Sequence, residues 1–479
     1  MSIDQAQLDP GRWRALPVLL VGSFLSFLDF FIVNIALPAM RDDLGARSSE
    51  LQLVVAAYGV AFAVSLITGG RLGDIFGRKR VFVLGLAGFT LASALCGLAT
   101  SPAMLIAWRV MQAVTAATLT PQVLAIIRVE FAPRERAFAI GLYGTSMGFA
   151  SIVAQLLGGL LVSLNLFGWS WRTIFLINLP IGLIAVIFAV RLLRESRSAS
   201  RPTLDFIGAG LISLGLVLLV YPLVEGREAG WPIWSFGMML AAVPTFLTFI
   251  LYERRLVQRG RTPLVALHLF RVPVIAFGLV VSIVFFLGLA IFFVVLTVFF
   301  QSGQGYSAFS AGLMFLPFAI GFSAASMVSG PVAARLGGRS VAIGCFLMAL
   351  GLLGTVVLAL IASRPDAGVI DERLLVLLFL IYGLGQGMAQ PALINTVVGS
   401  AGVSAEDAGS AAGLFLTTAQ SALALGVAAI GDVFFSRLDG TPVATDYAAA
   451  LALTLSCNLV LQVAAIVLML MLPRMMRRP

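Results

Sequence analysis

Histidine occurs once in this chain, at His268, and lysine once, at Lys79. A single histidine excludes a multi-histidine metal site. Arg78 stands where a phosphate-binding loop needs the glycine before its lysine, so there is no P-loop. Active transport by such a chain must draw on an ion gradient rather than on ATP bound here. The three cysteines, Cys96, Cys345 and Cys457, all lie in apolar runs and suggest neither a disulfide framework nor a metal site. Charge is scarce too. Only 11% of residues are charged, against about 25% in a soluble protein.

What fills the space is hydrophobic sequence, 60% of 479 residues. A membrane-crossing helix needs about 20 apolar residues. Apolar runs are read at 15–38, 51–70, 81–99, 102–127, 137–163, 172–192, 204–224, 233–252, 273–300, 309–334, 340–362, 374–399, 406–435 and 447–472, which predicts about fourteen helices. The net charge of +9 does not imply nucleic acid, because the arginines sit in short loops between these runs. With both termini assigned to the cytoplasm, inner segments hold 23 basic residues and outer segments 7, and Arg109 lies inside a helix. That bias matches the positive-inside rule. Merging any two spans would invert every later loop and destroy it. Arg12 and Arg14 precede a run too long for a signal peptide, so the first helix is expected to stay as an anchor.

The inner loop Gly69–Arg80 (GGRLGDIFGRKR) has a weaker counterpart at Ser329–Arg339. That spacing predicts an all-α membrane protein made of two repeated six-helix bundles and an extra pair of helices. The expected divisions are 1–201, 202–262 for the inserted pair, and 263–479. Repeats of this kind place a substrate site at midplane between the halves.

Two charges stand inside apolar runs. Asp29 sits in FLDFFIVNIALP (Phe27–Pro38), and Arg109 in LIAWRVMQAVTAA (Leu105–Ala117). A charge near the bilayer centre costs about 2.5–3.5 kcal/mol on insertion scales, so it usually has a partner and a task. Arg109 lies seven residues inside Pro102 and Asp29 nine inside Pro38. At about 1.5 Å per residue these are about 10 and 14 Å deep, so the two could meet. Protonation of Asp29 would then release Arg109, a change able to bias a two-state structure. The competing reading is a static ion pair that holds helices together.

These stretches also carry a resemblance. Asp29 followed by Ile32, Val33 and Asn34 and a helix-ending Ala36-Leu37-Pro38 resembles the first-helix motif of the 14-helix drug:proton antiporters, a branch of the major facilitator superfamily. Gly70, Leu72, Asp74, Gly77, Arg78 and Lys79 match that superfamily's loop signature, with Ile75 where a basic residue is usual. Arg109 and Gln112 match its fourth-helix motif, with Ala113 for the usual glycine. In the fifth helix Gly158 and Gly159 match, but Ala154 and Gln155 replace a Gly-Pro pair and Ala150 a glycine, leaving Gly144 and Gly148 to offer a close-packing face. Trp171–Gly182, Phe299–Pro317 and Glu406–Gln420 are similar to the same branch. The first of these reads as family identity and packing, with Trp171 in the interfacial belt.

The resemblance implies proton-coupled export of lipophilic or cationic small molecules by alternating access, with no cofactor beyond the proton gradient. It implies that Asp74, Gly77 and Arg78 form a cytoplasmic-side latch. The protein is expected to be a monomer in the bacterial inner membrane, not an enzyme, with protons, a small-molecule substrate and lipid as partners. Asn34, Gln112 and Gln155, with the Tyr382, Gln386, Gln390 stripe at i, i+4, i+8, are candidate cavity groups. Bonding between helices explains such residues equally well. Asp432 is a second acidic candidate at the outer end, while Glu225 and Glu228 read as loop charges. A transporter of a metabolite, lipid or siderophore on the same scaffold, symporters included, is the alternative, and the altered fifth-helix motif is its best support.

Overall fold

The computed structural model describes residues 11–197, 204–261, 263–265, 267–364, 371–398, 408–438 and 441–475. Among them are 14 helices long and apolar enough to cross a membrane, and no strands. They are α1 (Arg12–Leu44), α2 (Ser48–Phe76), α3 (Arg78–Gly97), α4 (Pro102–Glu130), α5 (Pro133–Leu164), α6 (Ser170–Leu192), α7 (Phe206–Glu228), α8 (Ile233–Gln258), α9 (Pro273–Gly303), α10 (Ala308–Ala333), α11 (Arg339–Ala362), α12 (Glu372–Val398), α13 (Ala408–Phe435) and α14 (Ala444–Met475). The divisions expected after 201 and 262, and Arg201, Glu406, Asp407, Arg477 and Arg478, lie outside the described residues.

Local chemistry sets the helix ends. Ser101 caps α4, accepting from the Met104 N–H at 3.3 Å, with Pro102 in the first turn where its missing donor costs nothing. Ser307 caps α10 in the same way, accepting from the Ser310 N–H at 3.1 Å. Proline does not end α1, contrary to expectation. The helix runs through Pro38 to Leu44 and stops at Gly45, whose φ of 61° glycine adopts freely. Such a proline is tolerated where neighbours satisfy the freed backbone. Here Gln301 of α9 donates to the Ile35 carbonyl at 2.8 Å, one residue from the carbonyl that Pro38 leaves without its helical donor.

Helices α1 to α6 pack mainly on one another, as do α9 to α14. Between these groups α2 lies against α13, and α5 against α10. Helices α7 and α8 form a hairpin whose α7 rests on both α2 and α13, while α8 packs chiefly on α7 and exposes an apolar face. Call the end that carries Gly69–Arg80 the basic end, and the other the far end. The α2–α13 seam extends from Gln52 against Gly431 to Thr417, whose hydroxyl meets the Ala63 carbonyl at 3.3 Å. The α5–α10 contact is closest at the far end. There a Cβ on Gly159 would meet the Ala308 carbonyl oxygen at 2.5 Å, and the Ser163 hydroxyl accepts from the Phe309 N–H at 3.0 Å. Toward the basic end, Gly141 and Gly144 on α5 and Gly330 on α10 have nothing within 4 Å of a Cβ position. The close approach expected at Gly144 is therefore made by Gly158 and Gly159 instead. With Ala154 and Gln155 in place of a Gly-Pro pair, α5 is one continuous helix.

Candidate functional site

Asp29 and Arg109 meet. Both are completely buried, and an Arg109 Nη1–H donates to Asp29 Oδ2. The carboxylate's other oxygen, Oδ1, accepts from Gln112 Nε2 at 2.8 Å and from Asn178 Nδ2 at 3.1 Å. Gln112 is one helical turn from Arg109 on α4, and its Oε1 accepts a second bond from Arg109 Nη1 at 2.7 Å. Asn178 of α6 also reaches Ser93 Oγ on α3 at 3.0 Å, and the Ser93 hydroxyl donates to the Phe175 carbonyl at 2.9 Å. From α2, the Val54 carbonyl accepts from Arg109 Nε at 3.3 Å, and the Tyr58 ring lies under the guanidinium, 4.1 Å from carbon to ring centroid. A desolvated cation over an aromatic face is worth about 2 kcal/mol. Five helices, α1, α2, α3, α4 and α6, thus converge on one carboxylate.

The network is nearly but not fully satisfied. Arg109 Nη2 and Asn178 Oδ1 are buried with no hydrogen-bond partner. An ion pair in this environment depends on its hydrogen bonds. Removing one partner strands a buried charge at a cost of about 3–5 kcal/mol. The arrangement can hold charge only while all its members stay in place.

The Gln112 expected in a substrate cavity therefore belongs to the charged cluster. Asn178 lies in Trp171–Gly182, which the sequence suggests is packing alone; the structure corrects this by placing its amide on Asp29. The signal was a polar side chain in an apolar span, the same one that singles out Asn34. Tyr58 and Ser93 carried a weaker form of it. Trp171 is not in an interfacial belt but fully buried, donating through Nε1 to Asp43 at 3.0 Å.

Other candidates lie apart from this cluster. Asn34 is buried with its Oδ1 unbonded, and Gln155 is buried with Nε2 donating to the Phe31 carbonyl at 3.4 Å. Tyr382 sits inside the second group of helices, its ring stacked on Phe292 at 4.2 Å. Gln386 donates to Gln390 at 3.2 Å, and its own Oε1 is buried without a donor. A small cavity lined by Ser26, Phe30, Tyr58, Phe62 and Gln420 lies between α1, α2 and α13.

At the basic end, Arg78 donates to Asp74 at 2.9 Å across Gly77. Only glycine suits that junction: its φ is 110°, and a Cβ would strike the Glu195 carboxylate at 2.5 Å. Glu195 accepts from the Lys79 and Arg80 N–H groups at 3.2 and 3.3 Å, so it is the carboxylate found at a helix N-terminus, that of α3. Arg78 N–H also donates to the Ser196 carbonyl at 2.9 Å. All of these partners lie within the first group of helices.

At the far end, Asp432 pairs with Arg227 at 2.6 Å. Glu225 and Glu228 belong to the last turns of α7, not to a loop. Arg47 pairs with them at 3.6 and 3.3 Å, and Ser49 donates to Glu228 through its N–H and its hydroxyl, both at 2.8 Å.

The family model described as Major Facilitator Superfamily matches residues 19–427. The chain is 39% identical over 428 residues to a "Probable actinorhodin transporter" of Streptomyces coelicolor, covering 89% of this chain and 73% of that protein. It is 33% identical over 432 residues to a "Tetracenomycin C resistance and export protein" of Streptomyces glaucescens, covering 89% and 76%. Among solved structures, an inward-facing bacterial homolog of the human lysosomal transporter Spinster matches with a TM-score of 0.69 at 18% identity, over 97% of this chain and 98% of that one. At that identity the likeness is one of fold.

Proposed function

The chain belongs to the Major Facilitator Superfamily, a family of transporters and not of enzymes, and on that premise we propose that it exports lipophilic small molecules in exchange for protons. It is a multi-pass membrane protein; by the positive-inside rule its basic end faces the cytoplasm of a bacterial inner membrane. The support for export lies in relatives named for export of, or resistance to, antibiotics.

The observation that carries proton coupling is the completely buried Asp29, held by Arg109, Gln112 and Asn178. A proton on Asp29 removes the charge that all three donors address. Arg109 is then a buried cation left with the Tyr58 and Phe175 rings, Gln112 and the Val54 carbonyl. Restoring its balance requires the helices to rearrange, so protonation and conformation become linked. A proton entering down a potential of 100 mV yields about 2.3 kcal/mol, which drives substrate the other way. The close α5–α10 contact at the far end is one that a shape open to the cytoplasm would keep, and it supports that shape as one of the two that alternate. Asn34, Gln155, Gln386 and Gln390 supply polar contacts for substrate between the halves, and the Asp74–Arg78 pair stiffens the basic-end loop.

The test is proton movement in everted vesicles across a panel of lipophilic compounds, cationic dyes included. Wild type should alkalinise the lumen when substrate is added, and Asp29→Asn should not. Substrate-triggered alkalinisation retained in folded Asp29→Asn protein overturns the assignment.

A further inference from the structure

The α7–α8 hairpin ends, at the basic end, in two carboxyl groups with no part in the cycle above. Asp205 caps α7, with Oδ1 accepting from the Gly208 N–H at 2.8 Å. Glu253 of α8 is fully buried, and its Oε2 accepts from the Val265 N–H at 3.0 Å. Each group has one oxygen satisfied. The other oxygens, Asp205 Oδ2 and Glu253 Oε1, are buried with no donor. They crowd the same point, because a Cβ on Gly208 would lie 2.3 Å from the first and 2.6 Å from the second. Two buried acceptors facing each other are mutually repulsive when both are ionised, whereas a single proton turns one of them into a donor for the other.

Arg71 faces this pair from α2 and the Tyr252 phenol from α8, and Arg261 of the linker that follows α8 lies near the phenol. Arg71 donates to the Pro263 carbonyl in that linker. Arg71 is a cation, and the phenol is itself a donor.

We propose that Asp205 and Glu253 bind one proton between Oδ2 and Oε1, making the foot of the hairpin a second protonation site that responds to pH at the basic end. Loss of that proton sets two carboxylates against each other beneath Gly208. The strain passes along a short route: Glu253 holds Val265, and two residues back Pro263 is held by Arg71 of α2, about one turn before Asp74 on the same helix. The pair thus connects pH at that end to the position of α2, where the hairpin, α2 and α13 meet. The inference does not rest on the exporter reading, because its test is a folding measurement that needs no substrate.

The experiment uses the full-length protein in lipid nanodiscs and follows thermal unfolding from about pH 6 to about pH 9. The folded pair holds a proton that exposed carboxyls in the unfolded chain release above about pH 4. Folding therefore binds a proton, and stability falls as pH rises. Wild type should lose about 2–4 °C in Tm across the range. Glu253→Gln and Asp205→Asn each supply an amide N–H in place of the proton and should remove that slope. The Asp29 cluster is common to all three proteins, so the difference between the curves isolates the pair. Infrared spectra of the wild type, which need no variant to fold, should show a protonated-carboxyl band that fades over the same range. Parallel Tm curves for wild type and both variants overturn the proposal. So does a band absent throughout, or a wild-type slope abolished by saturating sodium, which would identify a cation site instead.

Discussion

The two groups of six helices have similar layouts and opposite interiors. Inside α1 to α6 lies an ion pair, with Asp29, Arg109, Gln112, Asn178 and Ser93 in one hydrogen-bonded patch. Inside α9 to α14 lies an aromatic stack, in which Phe292 meets Tyr382 at 4.2 Å, Phe293 meets Phe318 at 5.2 Å and Phe315 meets Phe379 at 6.2 Å. Among the described residues of α9 to α14, no charged side chain is fully buried. On the proposed function, the difference reads as a division of labour. A buried ion pair is costly and sensitive to one proton, which suits a switch. Aromatic packing is indifferent to protons and suits a body that moves as a unit.

The comparison can be broken most severely at Arg109. Arg109→Ala strands Asp29 as a buried unpaired charge, and should cost about 3–5 kcal/mol, read as a large loss of Tm or of folded protein. The double variant Asp29→Asn, Arg109→Gln should recover much of that stability while remaining inactive in coupled transport. Failure to recover would mean the pair is chiefly structural.

Asn178→Ala comes next, with an expected loss of about 1.5–3 kcal/mol for one hydrogen bond to a charged group. In an Asp29→Asn background the same change should cost distinctly less, because the carboxylate it serves is gone. Equal losses in both backgrounds would sever Asn178 from the cluster.

On the aromatic side, Phe292→Leu removes the stack on Tyr382 and should lower stability by about 0.5–1.5 kcal/mol. Transport measured at several pH values should keep its pH profile; a shifted profile would show that the second group takes part in proton handling.

The smallest effect is expected at Asp432→Asn. Its pair with Arg227 is partly exposed, with side chains 20% and 14% accessible, so the change should cost less than about 1 kcal/mol. Abolished proton coupling in this variant would move the switch to the α7–α13 contact.

Particular residues show which parts of this design were legible beforehand. Asp29 and Arg109 stood out because a charge in an apolar run has few explanations, and their depths counted from Pro38 and Pro102 brought them to a similar level. The count of helices was legible because length, hydropathy and the alternation of arginines all test it. Asn178 was not, since an amide in a membrane helix bonds to whichever neighbour packs beside it, and only the approach of α6 to α1 shows which one. Trp171 was misplaced for a related reason. A tryptophan near a helix end suits an interface, but Asp43 lies close enough to satisfy its N–H inside the protein. Pro38 reads as a helix end until Gln301 of another helix is seen supporting the carbonyls around it.

Sequence alone determined that this chain lives in lipid, crosses it about fourteen times and carries an acid and a guanidinium where hydrocarbon should be. Those properties follow from composition along a line, because each span must be apolar and each buried charge is conspicuous. The tertiary structure decided who holds Asp29, which end of the α5–α10 seam is in closest contact, and that α7 bridges α2 and α13. These depend on which helix faces come together, and hydrogen bonds between distant segments are set by packing, which no local pattern specifies.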